Sequence, residues 1–404
     1  SMAKKYFHGY FRRAVTAALI VILIPLFATS ALGQSTNPFC STSNCAPTRK
    51  TLKDICDFVV KEKSQYTVIY VGGYYMRVLV AGYEIFGDRK YLDTAIAYAD
   101  FLLEKQMPNG FWATGYGPVY LADTGSALGL FIALYKHVDA AHQKRYFDAV
   151  KLYTDSLQND KMILPNGAFG TGWKEIKNGK LTDPIYDQYT LSSALTGATI
   201  FTWMYQKTKQ EKYREISYRA MKWVLCTMRD DGNIPYILAE EDSAWSKPGG
   251  PKNEYNLWDD MTYGTSGYVG EGVISFDLYC DNAARKSWIE KAVRPNIEFL
   301  LRTQLPDGTW SKHEQKSWDR TRNPGIINYL TWYYEHVDRD PRIVQAVQRF
   351  DAFVVVPENG KSLGLFSDGA YPGPKDKANA FNTVTALTGR ALADILSPGV
   401  DAKW

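Results

Sequence analysis

The chain has 404 residues, is 45% hydrophobic and carries a net charge of +4. It can therefore bury a large core, and its length alone permits two domains. So small a charge, spread over scattered lysines, gives no case for a nucleic-acid partner. Aromatic residues reach 14%; rings in that abundance serve either as sugar-stacking platforms or as filler of a helical core, and composition does not choose between the two.

In chain order, Lys4, Lys5, Arg12 and Arg13 precede an apolar run from Ala14 to Phe27, which gives way to small residues ending at Gly33. That order predicts a secretory signal over residues 1–33, cleaved near Gly33 or Gln34. The run contains Pro25 and is short for a membrane span, so a membrane is a partner only if the segment stays on as an anchor. Residues 34–50 are polar and read as a linker. Within them Cys40 and Cys45 are close enough for a local disulfide once the chain is exported. The five cysteines lack histidine companions at zinc-finger spacing, and no acidic loop has EF-hand spacing, so neither a metal site nor a cofactor is expected.

From residue 51 the pattern turns helical, with Thr51-Leu-Lys-Asp54 reading as a capping box. Six apolar helices are predicted at about 71–86, 123–136, 187–206, 264–280, 324–336 and 379–396. Six more polar ones alternate with them, at about 51–63, 90–105, 140–158, 210–228, 283–303 and 340–354. Strand signals are sparse, Asn233-Ile-Pro-Tyr-Ile-Leu238 being the best. No Gly- or Pro-rich linker divides residues 51–404, which read as one all-α domain, an (α/α)6 toroid of six inner and six outer helices.

Tight turns recur between the layers: Pro108-Asn-Gly-Phe-Trp112, Leu164-Pro-Asn-Gly167, Arg229-Asp-Asp-Gly232 and Pro306-Asp-Gly-Thr-Trp310. The pattern Gln-x-Pro-Asp/Asn-Gly-x-Trp resembles one found in terpene cyclases and in several glycan-active toroids. It specifies architecture better than chemistry.

In a toroid the loops entering the inner helices converge on one mouth. Here they carry Tyr116, Tyr120 and Asp123; Asp183, Tyr186, Asp187 and Tyr189; Tyr255, Trp258, Asp259, Asp260 and Tyr263; Trp318, Arg320, Arg322 and Asn323; and Tyr371, Lys375, Lys377 and Asn379. Rings to stack on a sugar, cations to hold a carboxylate and acids to move protons suit an acidic saccharide. Each acid also has a plainer use: Asp123 and Asp187 as helix N-caps, Asp259-Asp260 as a solvated pair. His313 is the one histidine near the proposed mouth.

Gly73-Tyr-Tyr-Met-Arg-Val-Leu-Val-Ala-Gly-Tyr-Glu-Ile-Phe-Gly-Asp-Arg-Lys-Tyr-Leu-Asp93 resembles the first repeat of unsaturated glucuronyl hydrolases and unsaturated rhamnogalacturonyl hydrolases. Ala122-Asp123-Thr-Gly and Ile185-Tyr-Asp187-Gln fall where that family has its two acids, and Trp258-Asp-Asp-Met-Thr-Tyr-Gly264 resembles the loop opening its fourth inner helix. The chain departs from the family at Ala122, where a histidine is usual, and in Tyr263–Glu271, which lacks the usual Arg-Gly-Gln-x-Trp.

The resemblance implies a secreted glycoside hydrolase acting on an unsaturated uronyl oligosaccharide. Asp187 would be the acid/base that protonates the enol-ether double bond and helps add water, with Asp123 as its partner; a neighbouring acid or a dry pocket can keep a proton on an Asp near neutral pH. The alternatives are a polysaccharide lyase with Tyr189 or His313 as base and Arg322 neutralising the uronate, a uronyl epimerase-like enzyme, a terpene-cyclase-like enzyme, and a glycan-binding toroid without catalysis. No Asp-x-Asp-Asp motif supports the cyclase.

Overall fold

The structure, a computed structural model, describes residues 37–62, 69–113, 118–234, 237–238, 262–277, 282–310, 324–366 and 383–400. The signal-like segment at 1–33 lies outside the described residues.

In chain order the elements are helices α1 (Ala46–Glu62), α2 (Ile69–Phe86) and α3 (Arg89–Lys105), strand β1 (Val119–Tyr120), and helices α4 (Leu121–Leu134) and α5 (Ala140–Asn159). Strands β2 (Gly172–Lys177), β3 (Lys180–Ile185) and β4 (Gln188–Tyr189) follow. The third inner helix is composite: α6 (Thr190–Ser192), a π-helical stretch (Ser193–Ile200) and α7 (Phe201–Thr208). Then come α8 (Glu211–Cys226), β5 (Ile237–Leu238), α9 (Thr262–Asp277), α10 (Asn282–Trp288) running through a π-helical Ile289–Val293 into α11 (Arg294–Thr303), α12 (Gly325–His336), α13 (Pro341–Val354), the short α14 (Pro357–Leu363) and α15 (Val384–Leu396).

The inner helices form a closed ring. α2 packs on α4, α4 on the π-helical stretch, that stretch on α9, α9 on α12, α12 on α15, and α15 back on α2. Their composition explains the ring: α4 buries every residue from Leu121 to Ile132 except Asp123, and a helix apolar nearly all round needs neighbours on every side. The outer helices α1, α3, α5, α8, α10–α11 and α13 are amphipathic and bury one stripe each. This is the (α/α)6 toroid expected from the alternation of apolar and polar helices.

The turn motif clamps adjacent outer helices. Gln106 Nε2 donates to the carbonyl of Gly110 in its own turn and to that of Ala149 on α5, both at 2.9 Å. Trp112 Nε1 donates back to Leu102 O at 2.7 Å. The second copy repeats this atom for atom: Gln304 Nε2 to Gly308 O and Ala346 O at 2.8 Å, and Trp310 Nε1 to Leu300 O at 2.8 Å. Gly308 adopts φ +94°, and a Cβ there would lie 2.4 Å from the Arg349 carbonyl of α13. Gly308→Ala is therefore expected to lower stability by at least about 1–3 kcal/mol, the cost of the backbone conformation alone, read as a drop in the denaturant midpoint.

Two local expectations change. Helix α1 begins at Ala46, so Thr51 lies inside it and Thr51–Asp54 is not a capping box; Asn44 Oδ1 accepts from Ala46 N at 3.1 Å instead. The preceding residues, read as linker, are packed from Asn37 onward. Phe39 is fully buried, edge-on to Tyr334, Asn37 Nδ2 donates to Ile395 O at 2.7 Å, and Cys40 is bonded to Cys45. A polar composition misled here because the polar groups are spent on buried partners.

On α1 burial alone would push the Asp57 carboxyl up. Hydrogen bonds from Lys53, Lys90 and Tyr91 instead hold it down from the ordinary 3.8 to about 2. A carboxylate depressed on folding contributes stability above its unfolded pKa and loses it as pH falls through the folded value. The stability difference between the wild type and Asp57→Asn should thus be present at pH 6 and shrink between about pH 4 and 2, as denaturant titrations at both ends of that window would show.

Candidate active site

A three-stranded antiparallel sheet, β1-β2-β3, joins the starts of two consecutive inner helices. Tyr120 pairs with Gly172, and Gly172 with Ile185. β1 runs directly into α4, which carries Asp123 in its first turn; β3 is followed two residues later by Asp187. Gly172 lets the strands meet: its φ is +140°, and a Cβ would lie 2.0 Å from Val119 O. A second pair, Gln188 with Leu238 and Tyr189 with Ile237, adds β5 to the entrance of α6. The turn between β2 and β3, Asn178-Gly179, has positive φ at both residues (50° and 71°), as a two-residue hairpin of type I′ requires.

Neither acid occupies the N-cap position of its helix. The N-caps are Tyr120 for α4 and Tyr189 for α6. Asp123 is instead the half-buried exception in an otherwise buried stretch of α4. Asp187 is also half-buried. Its neighbours turn outward: Tyr186 is 43% exposed, and Gln188 Oε1 accepts from Trp223 Nε1 of the outer helix α8 at 3.0 Å.

The first turn of α4 is fixed from behind. Thr124 Oγ1 and the Tyr153 hydroxyl of α5 are 2.7 Å apart, and Thr196 Oγ1 of the π-helical stretch donates to Leu121 O at 2.9 Å. Burial pushes the Tyr153 hydroxyl well above its ordinary range; its bonds with Thr124 and Thr196 oppose this, and the charge of Asp123 adds to it. Tyr153 also packs against Phe111 and Trp112 of the turn motif. The turn thus supports the acid-bearing helix through an outer-helix tyrosine.

Of the other residues expected at the mouth, Tyr120 is half-buried in the sheet. Tyr189 is 6% exposed. Tyr263, also 6% exposed, stacks on Phe299 of the outer helix α11 at 5.8 Å. Asp183 lies within β3 and is exposed. Tyr116, Tyr255, Trp258, Asp259, Asp260, His313, Trp318, Arg320, Arg322, Asn323, Tyr371, Lys375, Lys377 and Asn379 lie outside the described residues.

Sequence reading passed over the charges inside the ring. Arg77 of α2 donates to Glu271 of α9 at 2.5 Å, and Arg390 of α15 to the other Glu271 oxygen at 3.5 Å. All three are buried or nearly so, with side-chain exposures of 1%, 9% and 5%. Both guanidinium groups lie over the Tyr74 ring. The available signal was a charge near the middle of each of three largely apolar helices.

Neither a family model nor a curated protein sequence matches the chain. Solved structures do. The unsaturated glucuronyl hydrolase of Bacillus sp. GL1, responsible for the degradation of glycosaminoglycan, aligns over 88% of this chain and 98% of its own, at 14% identity and a TM-score of 0.62. The chain has the fold of the unsaturated glucuronyl hydrolases. A family 105 glycoside hydrolase of C. acetobutylicum is equally similar, at 14% identity and a TM-score of 0.62 over 86% of this chain and 99% of its own. A polysaccharide lyase also matches, at 16% identity and 0.55 over 85% and 97%. At such identities the likeness is one of fold, and the glucuronyl-hydrolase toroid is evidently a scaffold shared with a lyase.

Proposed function

We propose that the protein is a carbohydrate-active enzyme, a glycoside hydrolase of acidic, unsaturated uronyl oligosaccharides, with Asp187 as acid/base and Asp123 as its partner. One observation carries the reading: two carboxylates, neither at the N-cap position, stand at the entrances of adjacent inner helices that a single small sheet ties together. In the reaction a proton passes from Asp187 to one carbon of the enol-ether double bond and water adds to the other. The resulting hemiketal opens and releases the remaining sugar. Asp123 supplies the second carboxylate that such proton traffic uses. The resemblance of Gly73–Asp93 to the hydrolases favours this chemistry over elimination.

The Cys40–Cys45 bridge and the signal-like N-terminus support an exported enzyme, since such bonds persist in oxidising compartments.

The test is ultraviolet absorbance with a 4,5-unsaturated uronyl disaccharide and, separately, with the saturated polyuronate. A hydrolase of this kind consumes the conjugated absorbance of the first. Creation of that absorbance from the second, with no loss from the first, would instead identify a lyase, and silence on both would overturn both uronate chemistries.

A further inference from the structure

Thr171 sits between the two acids and touches the backbone of both segments that carry them. It is 2% exposed. Its carbonyl accepts from Leu121 N, the first residue of the Asp123 helix, at 3.0 Å. Its amide donates to Ile185 O at 3.0 Å. Its hydroxyl donates to the carbonyl of Asp187 itself at 3.1 Å. One residue therefore spans from Leu121 to Asp187, which holds these two backbones within about 10 Å of each other.

Thr171 also has little freedom to shift. It lies between Gly170, whose Cβ would meet Met162 Sδ at 2.8 Å, and Gly172, which is wedged against Val119 O. The two backbone bonds do not involve the side chain and survive any substitution that keeps the local backbone. The hydroxyl bond does not. Asp187 lies between two backbone bonds, Thr171 N to Ile185 O and Tyr189 N to Phe169 O at 2.9 Å, and the Thr171 hydroxyl bonds the Asp187 carbonyl between them.

We propose that Thr171 is a positioning residue for the acid pair: its hydroxyl holds the Asp187 peptide in register with the first turn of the Asp123 helix. This rests on the reading of Asp187 and Asp123 as the working acids. A misplacement of about 1 Å in such a pair typically costs about 100-fold in rate.

The experiment uses Thr171→Val, which keeps shape and both backbone bonds, and Thr171→Ser, which keeps the hydroxyl. Asp187→Asn and Asp123→Asn are measured beside them on the 4,5-unsaturated uronyl disaccharide. Thr171→Val should lower kcat by about 10- to 100-fold with KM little changed, alter the pH profile of kcat, and melt near the wild-type temperature; Thr171→Ser should restore kcat. Wild-type kcat in Thr171→Val, beside inactive Asp187→Asn, overturns the positioning role and leaves the acid assignment standing. Near-normal turnover by both Asn variants removes the acid assignment, and this proposal with it. If the disaccharide is not turned over, crystal structures of the wild type and Thr171→Val decide: an altered distance between the two carboxylates supports the role, and an unchanged one overturns it.

Discussion

Asp187→Asn is expected to fold like the parent chain, to bind the oligosaccharide, and to turn it over about 100- to 10,000-fold more slowly, the usual loss when a positioned acid/base is removed. The structure sharpens the expectation. Loss of a helix cap would cost about 1 kcal/mol of stability, but the N-cap of the third inner helix is Tyr189 and not Asp187. The peptide of Asp187 is held through its carbonyl by Thr171, a contact that Asn retains. The substitution thus changes the carboxylate and keeps the backbone bond. Comparison of melting temperature, oligosaccharide binding and kcat in one preparation separates the effects. Near-normal kcat in a folded, binding-competent variant would move the role to Asp123.

The largest stability effect is expected at Asp351, far from the acids. This carboxylate of α13 is fully buried, and the N-terminal segment supplies its hydrogen bonds. Ser41 donates both its amide (2.8 Å) and its hydroxyl (2.6 Å) to one oxygen, and the Thr48 hydroxyl lies 2.9 and 3.0 Å from the two oxygens. Asp351→Ala would leave three donors without their acceptor, the Thr48 hydroxyl fully buried and the two on Ser41 partly so, each worth about 1–3 kcal/mol where water does not replace the carboxylate. A loss of roughly 3 kcal/mol or more is expected, seen as a melting temperature lower by roughly 4 °C or more in a domain of this size. Ser41→Ala, which keeps the amide bond, should cost only about 1 kcal/mol. The Cys40–Cys45 bridge encloses Ser41, so a reductant should lower the melting temperature of the wild type more than that of Asp351→Ala. Equal shifts would show that bridge and carboxylate act independently. The contact matters to the ring because α1 and α15 close it: a Cβ on Gly389 of α15 would meet Val78 of α2 and Ile55 of α1 at 2.8 and 3.0 Å.

The long apolar helices were legible because their pattern is local. The inner helix expected at 123–136 is found at Leu121–Leu134, and the outer helix expected at 340–354 at Pro341–Val354. The turns were legible for the same reason: Pro and Gly at fixed places restrict few conformations, and two of the turns repeat the same hydrogen bonds. The hairpin of β2 and β3 carried its own local signal in Asn178-Gly179, which the search for helical period passed over. Of the described residues in the strand expected at 233–238, Ile237–Leu238 form a strand.

What sequence by itself determined is the class of fold: twelve helical segments, alternately apolar all round and apolar on one face, have few ways to hide their surface other than in two concentric layers. It also placed Asp123 and Asp187 near helix entrances. Only the tertiary structure decided what those entrances are. Both acids proved to lie beside the caps rather than at them, because tyrosines at the ends of short strands take the cap positions. The residue that joins the two acid-bearing segments, Thr171, follows one by 48 positions and precedes the other by 16, and no periodicity marks it. Likewise Arg77, Glu271 and Arg390 read as isolated charges until the ring closed, because ring closure is a relation between the first, fourth and sixth inner helices. Pairing across such distances is set by how the layers pack, and packing has no local signature in the chain.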